Sequence, residues 1–403
     1  MLFQFNIYSS LLIPFVLQGI IISVLLFVRS RRSGRTADLF LATLLFLYAL
    51  RVCQWMLGFA GWYDIKDWHT TIMFYTPFHH WLAIGPLIYF YFKSVTNSSF
   101  RFTKKDWLHF IPEFVWLLRF LFIFVMDIVV NHWIKGDPLP YFDQTHGYFY
   151  EHGIGISMLF WNVAEYLSVF TYLILTLRLY RKYRSYITNE FANTEHIDFS
   201  WIRNFLIANL VGHIVWIGFD LADYVVIDPL SYVQDWYSFF FLGVLIYYLS
   251  ISGYSNRPEV RQEADLHFDP HKFDEANNEV SPQNDETINE LLQQLLTYME
   301  MEKPYLNPSI NLTQLSKALI TTPALLSKSI NTGKGMNFND FINKYRVEMV
   351  KEKLQSEDAA YLSLLAIALD CGFNSKATFN RAFKKHTGIP PSVYFQKTRR
   401  DIP

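Results

Sequence analysis

The segment 375–385, SKATFNRAFKK, places its apolar and its polar side chains at helical spacing. Phe379 and Phe383 stand four residues apart, so on a helix they share one face and would be buried there. The other face carries amide and basic side chains. Arg and Asn can pair bidentately with guanine and adenine edges, and Lys commonly contacts phosphate. We therefore predict a helix that contacts nucleic acid through Ser375, Lys376, Ala377, Asn380, Arg381, Lys384 and Lys385.

Within this face the side chains have different predicted roles. Arg381 and Asn380 are the expected base readers, and Lys384 and Lys385 are the expected phosphate contacts. Ser375 is placed to cap the helix, because a serine hydroxyl can accept from the first free backbone N–H groups. For each charged side chain the alternative is a solvated surface position.

A segment of the same design lies earlier in the chain. After Thr322, a predicted cap, Pro323 stands at the first helical position, and Leu326 and Ile330 repeat the spacing of four. A preceding helix is predicted in NLTQLSKAL, residues 311–319. In the later segment Gly372 permits the corresponding tight turn. We interpret the two segments as helix-turn-helix units. The outward positions of the earlier unit are Thr322, Ala324, Ser327, Lys328 and Asn331.

Two further helices are predicted around these units. Residues 338–354, FNDFINKYRVEMVKEKL, have an apolar face and would hold the units at a fixed separation. Residues 286–301 carry an apolar stripe from Ile288 to Met299. We interpret this stripe as the first helix of the same domain; a dimerising coil, which would make a homodimer, is the alternative.

These motifs together resemble a known family. The region from about 287 to 397 is similar to the DNA-binding domain of the AraC/XylS family of bacterial transcription regulators, in both units, in Arg346 and in the closing residues Gly388, Pro391, Ser392 and Tyr394. The resemblance implies that two recognition helices, 322–331 and 375–385, enter successive major-groove faces of double-stranded DNA and act on the transcription machinery. Phe395 departs from the basic residue usual there, which puts one phosphate contact in doubt.

The first 254 residues have a different composition. In the chain 51% of residues are hydrophobic and 18% aromatic, and most of this character lies before residue 255. Seven apolar runs approach the roughly 20 residues that a membrane-spanning helix needs. The first has no basic flank before it, so it is interpreted as a span and not as a cleaved signal. The predicted spans are 9–28, 37–60, 72–93, 107–130, 154–179, 203–227 and 232–251.

Basic residues predict the orientation of these spans. Clusters such as Arg29 to Arg35 and Arg178 to Arg184 follow the odd-numbered spans, whereas the alternate loops carry only Lys66 and Lys135. Because basic flanks stay on the cytoplasmic side, we expect the N-terminus outside and the C-terminus in the cytoplasm. With the bacterial resemblance, this places the chain in the lipid bilayer of the cytoplasmic membrane.

Ionisable and polar residues within the predicted spans are costly in lipid and so should face the bundle interior. The first hypothesis is a cavity that binds a small-molecule ligand from outside. The second is buried ion pairs, such as Arg51 with Glu165 or Asp220, that only fix helix packing. The third is a metal site formed by His79, His80 and His213. The candidate ligand-binding residues are Arg51, His79, His80, Glu165, Asn209, His213, Trp216 and Asp220.

The last third of the chain contains an acidic stretch followed by a basic one. Residues 255–302 hold twelve acidic against three basic residues, whereas residues 303–403 hold fifteen basic against seven acidic. No hydrolase, P-loop or CxxC motif occurs, so we predict neither an enzyme nor a cofactor. Cys53 and Cys371 are expected to be packed free thiols.

The expected fold is all-α: a seven-helix transmembrane sensor (1–254), an acidic flexible linker (255–285) and a DNA-binding domain (286–403).

The function expected from the sequence is a one-component regulator, in which a signal sensed by the membrane domain controls sequence-specific DNA binding. The alternative is a membrane-tethered regulator that is controlled by a partner membrane protein instead of a small ligand.

Overall fold

The described part of the chain is built from helices, with two isolated β-bridges and no longer strand. The computed structural model describes residues 4–62, 68–139, 156–195, 197–225, 232–255, 266–270, 273, 285–355 and 362–400. The all-α prediction is therefore confirmed for these residues. Most of the predicted linker, 255–285, lies outside them.

The chain divides into two compact units. The first comprises residues 1–180 and 199–267, and the second comprises residues 181–198 and 268–403. The sequence assigned 181–198 to the membrane domain, whereas the structure groups this segment with the carboxy-terminal residues. Interspersed segments of this kind depend on tertiary contacts that local sequence patterns do not encode.

Among its described residues the first unit contains eight α-helices, one 3₁₀ helix and one π-helix. They are α1 (Ile7–Ser33), α2 (Thr36–Phe59), α3 (Trp68–Tyr75), α4 (Trp81–Thr96), a 3₁₀ helix (Lys104–Phe110), α5 (Ile111–Phe124), a π-helix (Val125–Ile134), α6 (Ile156–Glu190), α7 (Ser200–Val225) and α8 (Tyr232–Ser255). The last residues of α6 belong to the second unit.

Among the described residues, four helices are long and apolar enough to cross a membrane: Ile7–Ser33, Thr36–Phe59, Phe160–Glu190 and Asp235–Ser255. They correspond to the first, second, fifth and seventh predicted spans. The third predicted span is interrupted between α3 and α4, where Pro77 removes a backbone donor. The fourth is divided among 3₁₀, α and π segments. The sixth is a continuous helix, α7, whose side chains are described only to residue 218.

α1 shows how these helices combine an apolar outer surface with close internal packing. Leu17, Ile21 and Val24 are each more than half exposed, whereas Leu12 and Leu26 are fully buried. At Gly19 an added Cβ would lie 2.8 Å from the Cβ of Ala49. Glycine therefore permits the close approach of α1 and α2, and the apolar outer surface suits a lipid solvent better than water.

The second unit contains seven helices among its described residues beyond 284. They are α9 (Asp285–Met301), α10 (Leu312–Ala318), α11 (Pro323–Lys334), α12 (Phe338–Leu354), α13 (Leu364–Asp370), α14 (Lys376–Thr387) and α15 (Pro391–Arg400), with a 3₁₀ turn at Pro304–Leu306. On α9, Leu291, Leu295 and Met299 are buried in the same core as Leu326 of α11. The stripe is thus part of this domain's core, as predicted, and not a surface left for a coil.

Arg346 of α12 connects the two halves of this unit. Its guanidinium is fully buried, and Nε and Nη2 donate to the carbonyls of Tyr305 and Asn307 at 2.8 and 2.9 Å. The same group lies 5.8 Å from the centre of the Phe373 ring. Burial lowers the pKa of Arg346 to about 10, so the side chain stays charged at neutral pH.

We predict that Arg346→Met destabilises the second unit by about 2–5 kcal/mol, because the buried carbonyl of Tyr305 and the partly buried carbonyl of Asn307 lose their donors. Hydrogen exchange of residues 285–400 in the full-length protein measures this change. Lys344→Met, at an exposed position of the same helix, is the control and should change exchange little. Equal protection in the two variants would contradict the structural role of Arg346.

Candidate nucleic-acid interface and first-unit cavity

α14 forms as the sequence predicts. The Ser375 hydroxyl accepts from the backbone N–H of Thr378 at 3.1 Å, and Gly388 ends the helix in the left-handed conformation with φ of 79°. Phe379 and Phe383 are buried in the core with Phe373 and Ile367. The caps and the core together fix which face of α14 points outward.

That outward face carries the predicted residues. Lys376, Ala377, Asn380, Arg381, Lys384 and Lys385 are exposed, and Ser375 is half-buried. The Lys385 Nζ lies 2.6 Å from a carboxylate oxygen of Asp340 on α12, so this lysine is held by an ion pair within the unit. Asn380, Arg381 and Lys384 thus present an exposed amide and two cations on one face.

The earlier unit repeats this arrangement around α11. The Thr322 hydroxyl accepts from the Leu325 N–H at 3.3 Å, and Leu326 and Ile330 are fully buried. Of the predicted outward residues, Thr322 and Asn331 are exposed, whereas Ala324, Ser327 and Lys328 are half-buried. The face is less charged than that of α14, and Lys328 is its only cation among the predicted positions.

The sequence did not predict two features near these helices. Ile320, in the turn before α11, is 96% exposed and has a φ of 54°, a conformation uncommon for a β-branched residue. Glu195, from the segment after α6, contacts the start of α14: one carboxylate oxygen accepts from the hydroxyls of Ser375 and Thr378. No local pattern marks Glu195, because its contact is with a residue far along the chain.

Cys371 and Phe395 both pack in the core around α14. Cys371 is fully buried beside Phe373. Burial raises the pKa of its thiol to about 11, so it is a protonated packed side chain, as expected. Phe395, the residue that departs from the family pattern, is half-buried and packs against the same core. Its contribution there is apolar contact.

The first unit contains a cavity of about 390 Å³, within the range that accommodates small ligands. Five of the eight predicted ligand-binding residues line it: Arg51, His79, Glu165, His213 and Trp216. The sequence did not single out the other polar or aromatic lining residues as ligand-binding, which include Gln54, Trp55, Trp81, Trp116, Arg119, Trp161, Asn162 and Asp235. Aromatic side chains on apolar helices look the same in sequence whether they pack or line a cavity.

Contacts inside the cavity combine cations with aromatic rings. Arg51 lies over the ring of Trp55 at 5.9 Å, and Arg119 lies over Trp161 at 5.8 Å. The His79 Nε2 and the Glu165 carboxylate are 2.7 Å apart. Glu165 therefore contacts a histidine, a pairing that the sequence did not propose.

His213 is the most distinctive polar group of this cavity. It is 8% exposed, its Nδ1 lies 2.8 Å from the Asn209 carbonyl, and its buried Nε2 has no hydrogen-bond partner among the described atoms. The ring meets Trp81 edge-on at 5.4 Å. A buried polar atom without a partner costs free energy, which a bound ligand or water can recover.

The remaining predicted residues lie elsewhere. His80 contacts Glu113 at 2.7 Å, and Asn209 accepts from the Tyr48 hydroxyl at 3.0 Å, so both serve helix packing. The side chain of Asp220 lies outside the described residues. Across the part of the chain that the structure describes, no three His, Cys, Asp or Glu side chains are grouped to hold a metal ion. The metal hypothesis for the three histidines therefore finds no support.

Part of the second unit matches a known family. Residues 315–397 match a family model described as a helix-turn-helix domain. This range contains α11 and α14 and the central helix α12.

Similar proteins include transcription regulators. An uncharacterized HTH-type transcriptional regulator of Staphylococcus aureus is 30% identical over 129 residues, which cover 32% of this chain and 16% of that protein. A probable transcription factor of Proteus vulgaris, PqrA, is 29% identical over 107 residues, covering 27% of this chain and 81% of that protein. The chain thus spans about a sixth of the length of the staphylococcal relatives. Both relatives are described as regulators or factors of transcription.

One solved structure is similar in sequence, a protein of unknown function from Listeria innocua. The two sequences are 29% identical, and the match covers 26% of this chain and 95% of the Listeria chain, with a TM-score of 0.24.

Proposed function

We propose that this chain is a membrane-embedded, one-component transcription regulator, in which a signal received by the first unit controls sequence-specific DNA binding by the second. The observation that carries the proposal is the pair of capped helices, α11 and α14, within a matched helix-turn-helix domain. The exposed amide and cationic face of α14 supplies the chemistry for contact with DNA.

In the proposed complex α11 and α14 enter the major groove of double-stranded DNA. Arg381 and Asn380 have the side-chain types that read guanine and adenine edges, and both are exposed. Lys384 supplies charge to the phosphate backbone. Lys385 contributes less in this state because Asp340 neutralises it.

The proposed location is the bacterial cytoplasmic membrane, with the N-terminus outside and the second unit in the cytoplasm. Four helices of sufficient length and apolar character support membrane insertion. We propose that α3 with α4, the segments 104–134, and α7 provide three further crossings. Seven crossings are an odd number, which agrees with the distribution of basic residues between the loops.

We further propose that the cavity receives the signal as a small molecule from outside. With this orientation, α2 ends and α6 and α8 begin on the outer side. Arg51, Trp161 and Asp235 line the cavity, each in the outer half of its helix. The cation–aromatic pairs and the His213 Nε2, which has no hydrogen-bond partner among the described atoms, are the groups that a polar ligand with an apolar body would contact.

The alternative is that a partner membrane protein, and not a small ligand, controls the regulator. The apolar outer faces of the long helices suit helix–helix contact as well as lipid. Under this alternative the cavity residues could be replaced without loss of regulation.

For DNA binding, we predict that Arg381→Ala lowers specific affinity by about 1–3 kcal/mol and relaxes base choice at one position. Lys384→Ala should weaken binding on all sequences and reduce the slope of log K against log salt by about 1. The measurement is a salt titration of the full-length protein on its promoter and on scrambled DNA. Equal weakening by Arg381→Ala on both DNAs would exclude it as a base reader.

For signal reception, we predict that His213→Ala and Glu165→Ala abolish or shift the response of a target promoter to its inducing condition. Ile214→Ala and Leu167→Ala are matched controls, because these neighbours on the same helices are 56% and 63% exposed. Reporter expression is measured relative to the amount of protein in the membrane. An unchanged response in the cavity variants would favour control by a partner protein.

A further inference from the structure

The segment that follows α6 is docked on the helix-turn-helix unit. The Asn339 side-chain amide of α12 donates to the carbonyls of Phe191 and Ala192 at 3.1 and 2.7 Å. Ala192 is fully buried in the core that contains Leu326 and Ile330. Glu190 adds an anchor, since one carboxylate oxygen accepts from the Thr313 backbone N–H at 3.1 Å and from its hydroxyl.

The end of this segment reaches the proposed reading helix. One carboxylate oxygen of Glu195 accepts from the Thr378 hydroxyl at 3.0 Å and from the Ser375 hydroxyl. Ser375 is the N-cap of α14, and Thr378 is 2% exposed. Asn193 and Thr194 are also buried, so the contact is part of a packed surface.

The position of this carboxylate conflicts with DNA binding. In helix-turn-helix proteins the N-terminal residues of the recognition helix contact base edges in the groove. The positive end of a helix also attracts phosphate. Glu195 already supplies a negative oxygen at this end of α14, and its charge would repel the backbone of an approaching duplex.

We propose that residues 190–195 form an autoinhibitory clamp, in which Glu195 takes the place of a DNA phosphate or base edge at the start of α14. This inference rests on the proposed DNA-binding function. DNA then binds only those protein molecules in which residues 190–195 have moved off α14. The apparent affinity of the protein for DNA is therefore its intrinsic affinity multiplied by the fraction of molecules in this open state. Loss of the clamp raises DNA affinity.

The clamp also joins the reading helix to the proposed sensor through one continuous element. α6 runs without interruption from Ile156 to Glu190. At about 1.5 Å per residue it exceeds the roughly 30 Å hydrocarbon thickness of a bilayer. Its residues Trp161, Glu165 and Tyr166 line the cavity. A ligand that prefers one packing of α6 would therefore change the population of the clamped state.

The first test measures affinity. The full-length protein in lipid nanodiscs is titrated with the DNA fragment that cross-links to it most strongly in cells. The substitution Glu195→Gln keeps the size of the side chain and removes its charge. The variant protein should bind this DNA roughly 10-fold more tightly than the wild type does. Glu290→Gln removes one exposed carboxylate of the same unit and is the control, with a change under about 2-fold. Equal affinities for the two variants would overturn the clamp.

The second test separates the clamp from DNA binding itself. Saturating amounts of the same fragment are added to the wild-type protein, and hydrogen exchange is followed in two segments. The clamp predicts that residues 376–385 become protected while residues 191–195 exchange faster. Protection of 376–385 with 191–195 still buried would overturn the clamp and leave the proposed function standing. Protection of neither segment would overturn both.

Discussion

The second unit depends on one buried cation. Arg346 projects from the central helix α12, donates to two carbonyls ahead of the first helix-turn-helix unit and lies over Phe373 in the turn of the second. A guanidinium that is fully buried is costly unless its donors are satisfied. Its contacts therefore specify one arrangement of the two units about α12. In the proposed complex the spacing of α11 and α14 must match the repeat of the DNA groove, so Arg346 would serve DNA binding through geometry.

Local rules made the helix-turn-helix units predictable from sequence. Thr322, Asn311 and Ser375 cap helices as expected, Gly372 takes the positive φ that the turn requires, and Leu326, Ile330, Phe379 and Phe383 are buried. Each of these assignments depends on residues within four positions of one another. The basic and amide face of α14 then follows, because burial of one face fixes the other.

Features that depend on distant residues were not predictable in this way. The fifth predicted span ended at 179, but the helix continues to Glu190, since Arg, Lys and Tyr extend a helix as readily as apolar residues do. Nothing near Glu195 indicates its contact with Ser375. Among the cavity-lining residues, Arg51, His79, Glu165 and His213 could be predicted because ionisable side chains are unusual in apolar helices. The lining residues Trp55, Trp116 and Trp161 could not be distinguished in sequence from aromatic residues that only pack. Pro77 was the local signal for the interruption of the third span.

The proposed function requires the second unit to lie in the cytoplasm, where it can reach DNA. The most direct measurement is a reporter fused after Pro403 in living cells, using one enzyme active only outside the membrane and one fluorescent protein that matures only inside. The proposed orientation predicts fluorescence without enzyme activity. Enzyme activity without fluorescence would place the helix-turn-helix domain away from the chromosome and contradict the proposed function.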